Sequence, residues 1–195
     1  MSQMIRTLIL GILSITFLGF LTAFLILWYF SNDLPNYRFL ETYKPAVSSK
    51  IYNNNGDIAA DFAVQKRTFV SIDEIPDFVI NAFLSAEDKN FFNHPGIDAK
   101  GITRAVFNNL QNIISGKRLE GASTITQQVA KNFLLTSDVS LSRKVKEAIL
   151  AFRIEKYLSK KRILELYLNE IYLGERAYGI ASASMVYFDK SLKEL

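Results

Sequence analysis

Residues 140–174 read SLSRKVKEAILAFRIEKYLSKKRILELYLNEIYLG. Two helical periods lie in this stretch, and each follows a serine that can cap a first turn. After Ser140, Leu141, Val145, Ile149 and Phe152 recur at helical spacing. After Ser159, Ile163, Leu164, Tyr167, Leu168 and Ile171 do the same, with Gly174 as the expected stop. Three helical runs precede them. Pro76 opens one that carries Phe78, Val79, Phe83 and Leu84; Gly101–Ser115 places Ile102, Val106, Leu110, Ile113 and Ile114 on one face; a third runs from Thr124 to Leu135. Strand signals are confined to the N-terminal side. Lys50–Tyr52 and Asp57–Val64 flank Asn53-Asn54-Asn55-Gly56, a hairpin signal, and Arg67–Ile72 could form a third short strand. The pattern predicts a mainly α fold with a short N-terminal β-hairpin region.

The first thirty residues are a different kind of chain. Thr7–Phe30 carries no charge and is mostly Leu, Ile and Phe. As a helix it would be roughly 36 Å long at about 1.5 Å per residue, against a hydrocarbon core of about 30 Å. A cleavable signal has a shorter apolar run ending in small residues. This one ends Leu27-Trp28-Tyr29-Phe30, an interfacial aromatic belt. Residues 7–30 are therefore expected to be a single transmembrane helix, with 1–6 in the cytoplasm and the rest outside the membrane. Residues 31–70, with Pro35 and Pro45, are expected to be a linker and hairpin region, and 71–195 the functional domain.

Composition narrows the chemistry. The chain has 195 residues, 49% hydrophobic, which excludes a disordered polymer. It has no Cys and one His, which excludes thiolate zinc sites, cysteine nucleophiles and multi-His metal centres, and argues against a Ser-His-Asp triad. Between Lys117 and Arg162 eleven Lys and Arg stand against four Asp and Glu. That block is either a set of solvated helix faces with local pairs such as Arg143 and Glu147, or a site for an anion, phosphate being the usual one. No nucleic-acid motif is present, and nucleic acid is not an expected partner.

Acid-base work must then fall to carboxylates. Glu87-Asp88 precedes Phe91-Phe92-Asn93-His94-Pro95-Gly96, so a carboxylate there is either an exposed helix-end acid or a part-buried group suited to be a general base. His94 reads as a hydrogen-bonded structural residue. Glu147 sits among Arg143, Lys144 and Lys146. The turn Gly121-Ala122-Ser123-Thr124-Ile125-Thr126-Gln127-Gln128 feeds a helix; its hydroxyls either cap that helix or face a phosphate at its N-terminus.

Taken together these segments resemble the motifs of the peptidoglycan glycosyltransferases, in family order. Glu87–Gly96 is similar to E-D-x-x-F-x-x-H-x-G, Gly121–Gln128 to G-x-S-T-I-x-x-Q followed by Lys131-Asn132, and Arg143–Glu147 to R-K-x-x-E. Ile163–Gly174 resembles the fourth motif and Arg176–Lys190 the fifth. The region before them looks like the leading segment of class A penicillin-binding proteins. The resemblance implies a lysozyme-like, mostly α-helical domain on the outer face of the bacterial cytoplasmic (inner) membrane, polymerising lipid II into β-1,4-linked glycan with release of undecaprenyl pyrophosphate. By motif position Glu87 would be the general base and Glu147 the second essential carboxylate. Lys131, Arg143 and Lys144 would face the pyrophosphate, and Ser123, Thr124 and Gln128 would line the cleft. No cofactor is required by this reading, and a divalent cation (Mg or Mn) near Glu147 is compatible with it. The partners it implies are lipid II, the growing lipid-linked glycan, the membrane and other cell-wall synthesis proteins.

The sequence departs from the family pattern in three places. Val139 stands where an Arg is usual, which makes Arg118 the candidate replacement; Glu120 replaces Gln; Asp189 replaces the Gly of the fifth motif. Neither S-x-x-K nor K-T-G occurs, and the chain is expected to be an N-terminal fragment whose glycosyltransferase domain is incomplete at its C-terminal end. Two other functions are left open: a non-catalytic remnant that docks other wall-synthesis proteins, and a lysozyme-like glycoside hydrolase using the same two carboxylates.

Overall fold

The computed structural model describes residues 3–44, 50–52, 58–61, 66–136 and 138–195. Helix α1, Gln3–Ser31, is long and apolar enough to cross a membrane, and none of its side chains is buried by the rest of the chain. Strands β1 (Lys50–Tyr52) and β2 (Ile58–Asp61) pair antiparallel, Ile51 opposite Ala60, with a bulge at Tyr52. The hairpin is therefore present, while its expected turn, Asn53–Gly56, and the flanks of the longer expected second strand lie outside the described residues. The third expected strand shrinks to β3, Lys66–Arg67. Beyond it, the backbone of Val70 is held on both sides by the Asn169 side chain (2.9 and 2.8 Å), and the Ile72 amide donates to Glu165 (2.9 Å). Side-chain partners thus replace a sheet ladder.

Helix α2 spans Asp77–Glu87, with Pro76 at its N-cap, and α3 spans Ala99–Ile114. Helices α4 (Ile125–Leu134), α5 (Leu141–Tyr157) and α6 (Lys160–Glu170) form the centre, α4 packing on both α5 and α6. Ser140 and Ser159 cap α5 and α6 as the sequence predicts, accepting from the amides of Arg143 and Arg162. Strand β4 (Ala177–Tyr178) pairs parallel with β3, and α7 (Ile180–Phe188) follows. The core is built from Leu40, Phe91, Ile125, Leu150, Ile154, Ile163 and Leu168, each fully buried. Burying a side chain of this size contributes roughly 1.5–3 kcal/mol.

Three elements differ from expectation. Gly174 is not the stop of α6, which ends at Glu170; at φ +93° it makes the turn beyond, its carbonyl accepting from Ala177. In α5 the buried stripe is Glu147, Leu150, Ala151 and Ile154, whereas Leu141 is 87% exposed. The reason is that α5 lies between α4 and α1, so its apolar positions serve two neighbours. In α3 the apolar face of Ile102, Val106, Leu110, Ile113 and Ile114 points out of the protein, exposures rising from 38% to 87%.

Candidate active site

The site is assembled where α2 ends and α4 begins. Asp88, the α2 C-cap, is buried. Its carboxylate receives Nε2–H of His94 at 3.0 Å and the backbone amide of Ile125 at 3.0 Å. Nδ1 of His94 accepts from the Gly96 amide at 3.1 Å, which fixes the tautomer with the proton on Nε2. His94 is thus structural, as read from the sequence. Gly96 (φ +102°) sits so close to α5 that a Cβ would lie 2.8 Å from the Ala151 backbone, and its carbonyl accepts from the Thr124 hydroxyl at 2.6 Å. The α2 end, the α4 start and the middle of α5 are clamped together at this point.

This clamp decides what the turn before α4 can do. Thr124 and Gln127 form a capping box, and the Thr124 hydroxyl is engaged on both sides. Asp88 already takes the Ile125 amide, so the protein supplies its own anion to the α4 N-terminus. Of the two readings left open for this turn, Thr124 takes the cap: it is buried, and its hydroxyl is engaged within the protein. Ser123 keeps an outward role, accepting from Lys144 Nζ at 2.6 Å.

Two adjoining pockets open on this frame. The larger, about 660 Å³, has Glu87, Lys89, Arg104, Arg118 and Glu120 in its walls. The smaller, about 170 Å³, is lined by Lys131, Arg143, Lys144 and Glu147. Ser123 and Gln128 line both. Glu87 is exposed rather than part-buried; the buried carboxylate of its segment is Asp88. Gln128 Nε2 donates to Glu87 Oε2 at 2.9 Å, so the residue shared by the two pockets also orients that acid. Glu147 is 2% exposed and is met by Arg143 Nε at 3.0 Å and Lys144 Nζ at 2.8 Å. A buried carboxylate of this kind is tolerated because it is paired. Lys131 stands exposed in the last turn of α4.

The sequence-predicted residues therefore line two adjoining pockets, with a difference in allocation. Arg118 lies in the Glu87 pocket, not beside Lys131, and Val139 is 94% exposed, so neither supplies the cation expected near Glu147. The donors around Glu147 do not suit a divalent cation: one carboxylate faces two positive side chains, and among the described residues no cluster of three His, Asp or Glu forms. Sequence reasoning gave Asp88 no role and overlooked Lys89 and Arg104. The signal for Asp88 was available in His94, six residues on, a hydrogen-bonding ring with no surface role. Asp98 belongs to the same pocket wall; the Gly101 amide and the Asn90 side chain (3.0 Å) hold its carboxyl below the ordinary aspartate range.

Comparisons with known proteins give the family. Residues 55–195 match the transglycosylase family. The chain is 51% identical to a penicillin-binding protein 1A of Rickettsia felis over 175 residues, 90% of this chain and 22% of the relative. It is 48% identical to one of Aquifex aeolicus over 187 residues, 96% and 25%, and 48% identical to one of Neisseria lactamica over 162 residues, 83% and 20%. The chain thus spans about a fifth to a quarter of the length of the curated relatives it matches.

Proposed function

The chain belongs to the transglycosylase family of class A penicillin-binding proteins, and on that premise we propose that it is a peptidoglycan glycosyltransferase that polymerises lipid II at the outer face of the cytoplasmic membrane. The observation that carries this reading is the pair of pockets joined by Ser123 and Gln128, an uncrowded acid in one and a cation-lined wall in the other. The 4-hydroxyl of the acceptor GlcNAc attacks the anomeric carbon of the donor MurNAc. A C–O bond forms there with inversion, the bond to the pyrophosphate oxygen breaks, and undecaprenyl pyrophosphate leaves. An alcohol needs a base at the moment of attack. Glu87 takes its proton, held by Gln128 through one oxygen while the other carries no hydrogen bond among the described residues. The leaving pyrophosphate gathers charge, and Lys131, Arg143 and Lys144 are preorganised to meet it. Glu147 fixes Arg143 and Lys144 in place and keeps them from spreading into solvent.

The membrane enters through the substrate's polyprenyl tail. Helix α1 tethers the domain and the outward apolar face of α3, with Leu119 beside it, rests in the outer leaflet. The deciding experiment is incubation with lipid II in liposomes, followed by analysis of glycan length. The parent chain makes polymer, and Glu87→Gln abolishes it while leaving the circular dichroism spectrum and melting temperature intact. Full polymerisation by that variant would remove Glu87 from the role of base. Cleavage of finished glycan without polymer formation would make the chain a hydrolase.

A further inference from the structure

The candidate site uses one face of α5. Lys146, Ile149, Arg153 and Lys156 share another, at i, i+3, i+7 and i+10, and none of them lines either pocket. This second face meets the end of α1. Lys146 has its counter-ion there, Asp33 at 2.8 Å. Arg153 has none. It is half-buried, and its one bond among the described residues runs from a guanidinium nitrogen to the hydroxyl oxygen of Ser31, the last residue of α1. The hydroxyl proton of Ser31 has no acceptor among the described residues. A part-buried cation without a counter-ion is costly, and a guanidinium is a two-pronged donor that fits phosphate. Ser31 also follows the aromatic belt Trp28-Tyr29-Phe30, about 4.5 Å beyond Trp28 along the helix axis. Trp and Tyr concentrate at the membrane–water boundary, so with α1 in a bilayer Arg153 and Ser31 stand at the level of the lipid phosphates.

We propose that Arg153 and the Ser31 hydroxyl, with Lys146 beside them, bind the phosphate of an anionic phospholipid in the leaflet where α1 ends. The site rests on α1 lying in a bilayer, and not on the chemistry of the two pockets. Arg153 offers its free guanidinium N–H groups to the phosphate oxygens, and Ser31 donates its proton to the same group while still accepting from Arg153. The charge around the junction selects the kind of lipid. Lys146, Arg153 and Lys156 stand on this face against Asp33, and Glu41 is already taken by the Tyr157 hydroxyl at 2.8 Å. A zwitterionic headgroup brings its own cation into this company and is repelled by it, whereas an anionic headgroup brings none. The bound lipid would join α1 to α5 through one phosphate, at the place where the anchor passes into the domain.

Trp28 is the chain's single tryptophan and lies one turn from Ser31, so its fluorescence reports which lipids collect at this junction. The test uses the full chain in phosphatidylcholine vesicles with a minority of phosphatidylglycerol. Brominated acyl chains, which quench tryptophan on contact, are carried by one lipid or the other in separate preparations. Quenching of the parent is expected to show phosphatidylglycerol enriched at Trp28 over its share of the vesicle. Arg153→Gln lowers that enrichment about fivefold, and Ser31→Ala about threefold; the second variant carries the test should the first not fold. Lys193→Gln removes the same charge from an exposed position outside the junction and leaves the enrichment unchanged. Equal enrichment in the parent and in the folded variants overturns the proposal. So does a loss in Lys193→Gln as large as that in Arg153→Gln, which would reduce the effect to net charge. Two competitors separate the sources of phosphate. Inorganic phosphate, and lipid II at a fraction where unlabelled phosphatidylglycerol has no effect, are expected to leave the quenching in place. Relief by either overturns the phospholipid assignment and transfers the site to soluble phosphate or to a lipid-linked pyrophosphate.

Discussion

Gly96 joins three helices through its backbone, and the demands on it are steric. Its φ is +102°, and a Cβ would press to 2.8 Å on the carbonyl of Ala151 in α5. Gly96→Ala therefore adds left-handed strain of roughly 1–2 kcal/mol and overpacking of about 1–3 kcal/mol. Chemical denaturation is expected to register the sum, and polymerisation should fall with it because the Thr124 cap hangs on the Gly96 carbonyl. A loss under about 1 kcal/mol would mean that α5 gives way freely. Lys144 is the complementary case. It binds Glu147 at 2.8 Å and Ser123 at 2.6 Å. Lys144→Met leaves a buried carboxylate with Arg143 as its remaining cation, so polymerisation rate should fall at least about tenfold through loss of preorganised charge. Substrate titrations would show the effect in kcat more than in KM. The sequence made the site legible at this scale because caps and ion pairs at i, i+3 and i, i+4 are local. It left burial open between Glu87 and Asp88 because neighbours on a helix point about 100° apart, and which of them turns inward is set by His94 and Ile125, contacts six and thirty-seven residues away.

At the scale of elements, the ends of helices carry the adjustable terms. Helix α7 stops on Asp189 in the left-handed region, φ 53°. This is where the fifth motif of the resembling family has Gly, and the geometry explains the preference: Gly adopts that conformation without a Cβ penalty. Asp189→Gly is expected to raise stability by up to about 1 kcal/mol, read as a higher melting temperature with activity unchanged; a lower one would show that the Asp189 side chain matters more than its backbone. The start of α3 responds to acid. The Gly101 amide and Asn90 lower the Asp98 carboxyl in the folded chain. A lowered folded value means stabilisation that is complete above the unfolded pKa of about 3.9 and is lost as pH falls through the folded one. Asp98→Ala should thus flatten the acid limb of stability against pH below about 4, and parallel limbs for variant and parent would count against it. Elements were less legible than caps. Apolar periodicity tells which face of α3 is greasy but not what covers it, and in α5 two covered faces blur the period. The third strand failed because its partner, β4, lies more than a hundred residues away and is two residues long.

On the proposed reading, the question for the whole molecule is what holds the exposed pockets against a substrate that lives in a bilayer. Helix α1 meets α5 at its C-terminal end, where Arg153 bonds Ser31 and Lys146 pairs with Asp33 at 2.8 Å. The apolar face of α3 adds a second contact with lipid in the proposed reading. A tether raises the effective concentration of the cleft at the membrane without changing any bond in it, and such gains run to about 10²–10⁴-fold. Removing residues 1–29 keeps Ser31 and Asp33 and with them the bonds to Arg153 and Lys146 of α5. On lipid II dispersed in detergent the shortened chain should keep most of the parent's rate. On lipid II in liposomes it should fall by about a hundredfold, and adding Leu110→Glu and Ile113→Glu on α3 should lower both its liposome binding and its residual rate further. Charging two positions that already face solvent costs the fold little, because both are more than half exposed. Equal liposome rates for parent and shortened chain would mean that α3 and the cleft find the membrane unaided. An equal loss in detergent would instead place the role of α1 inside the fold, through α5, rather than at the bilayer.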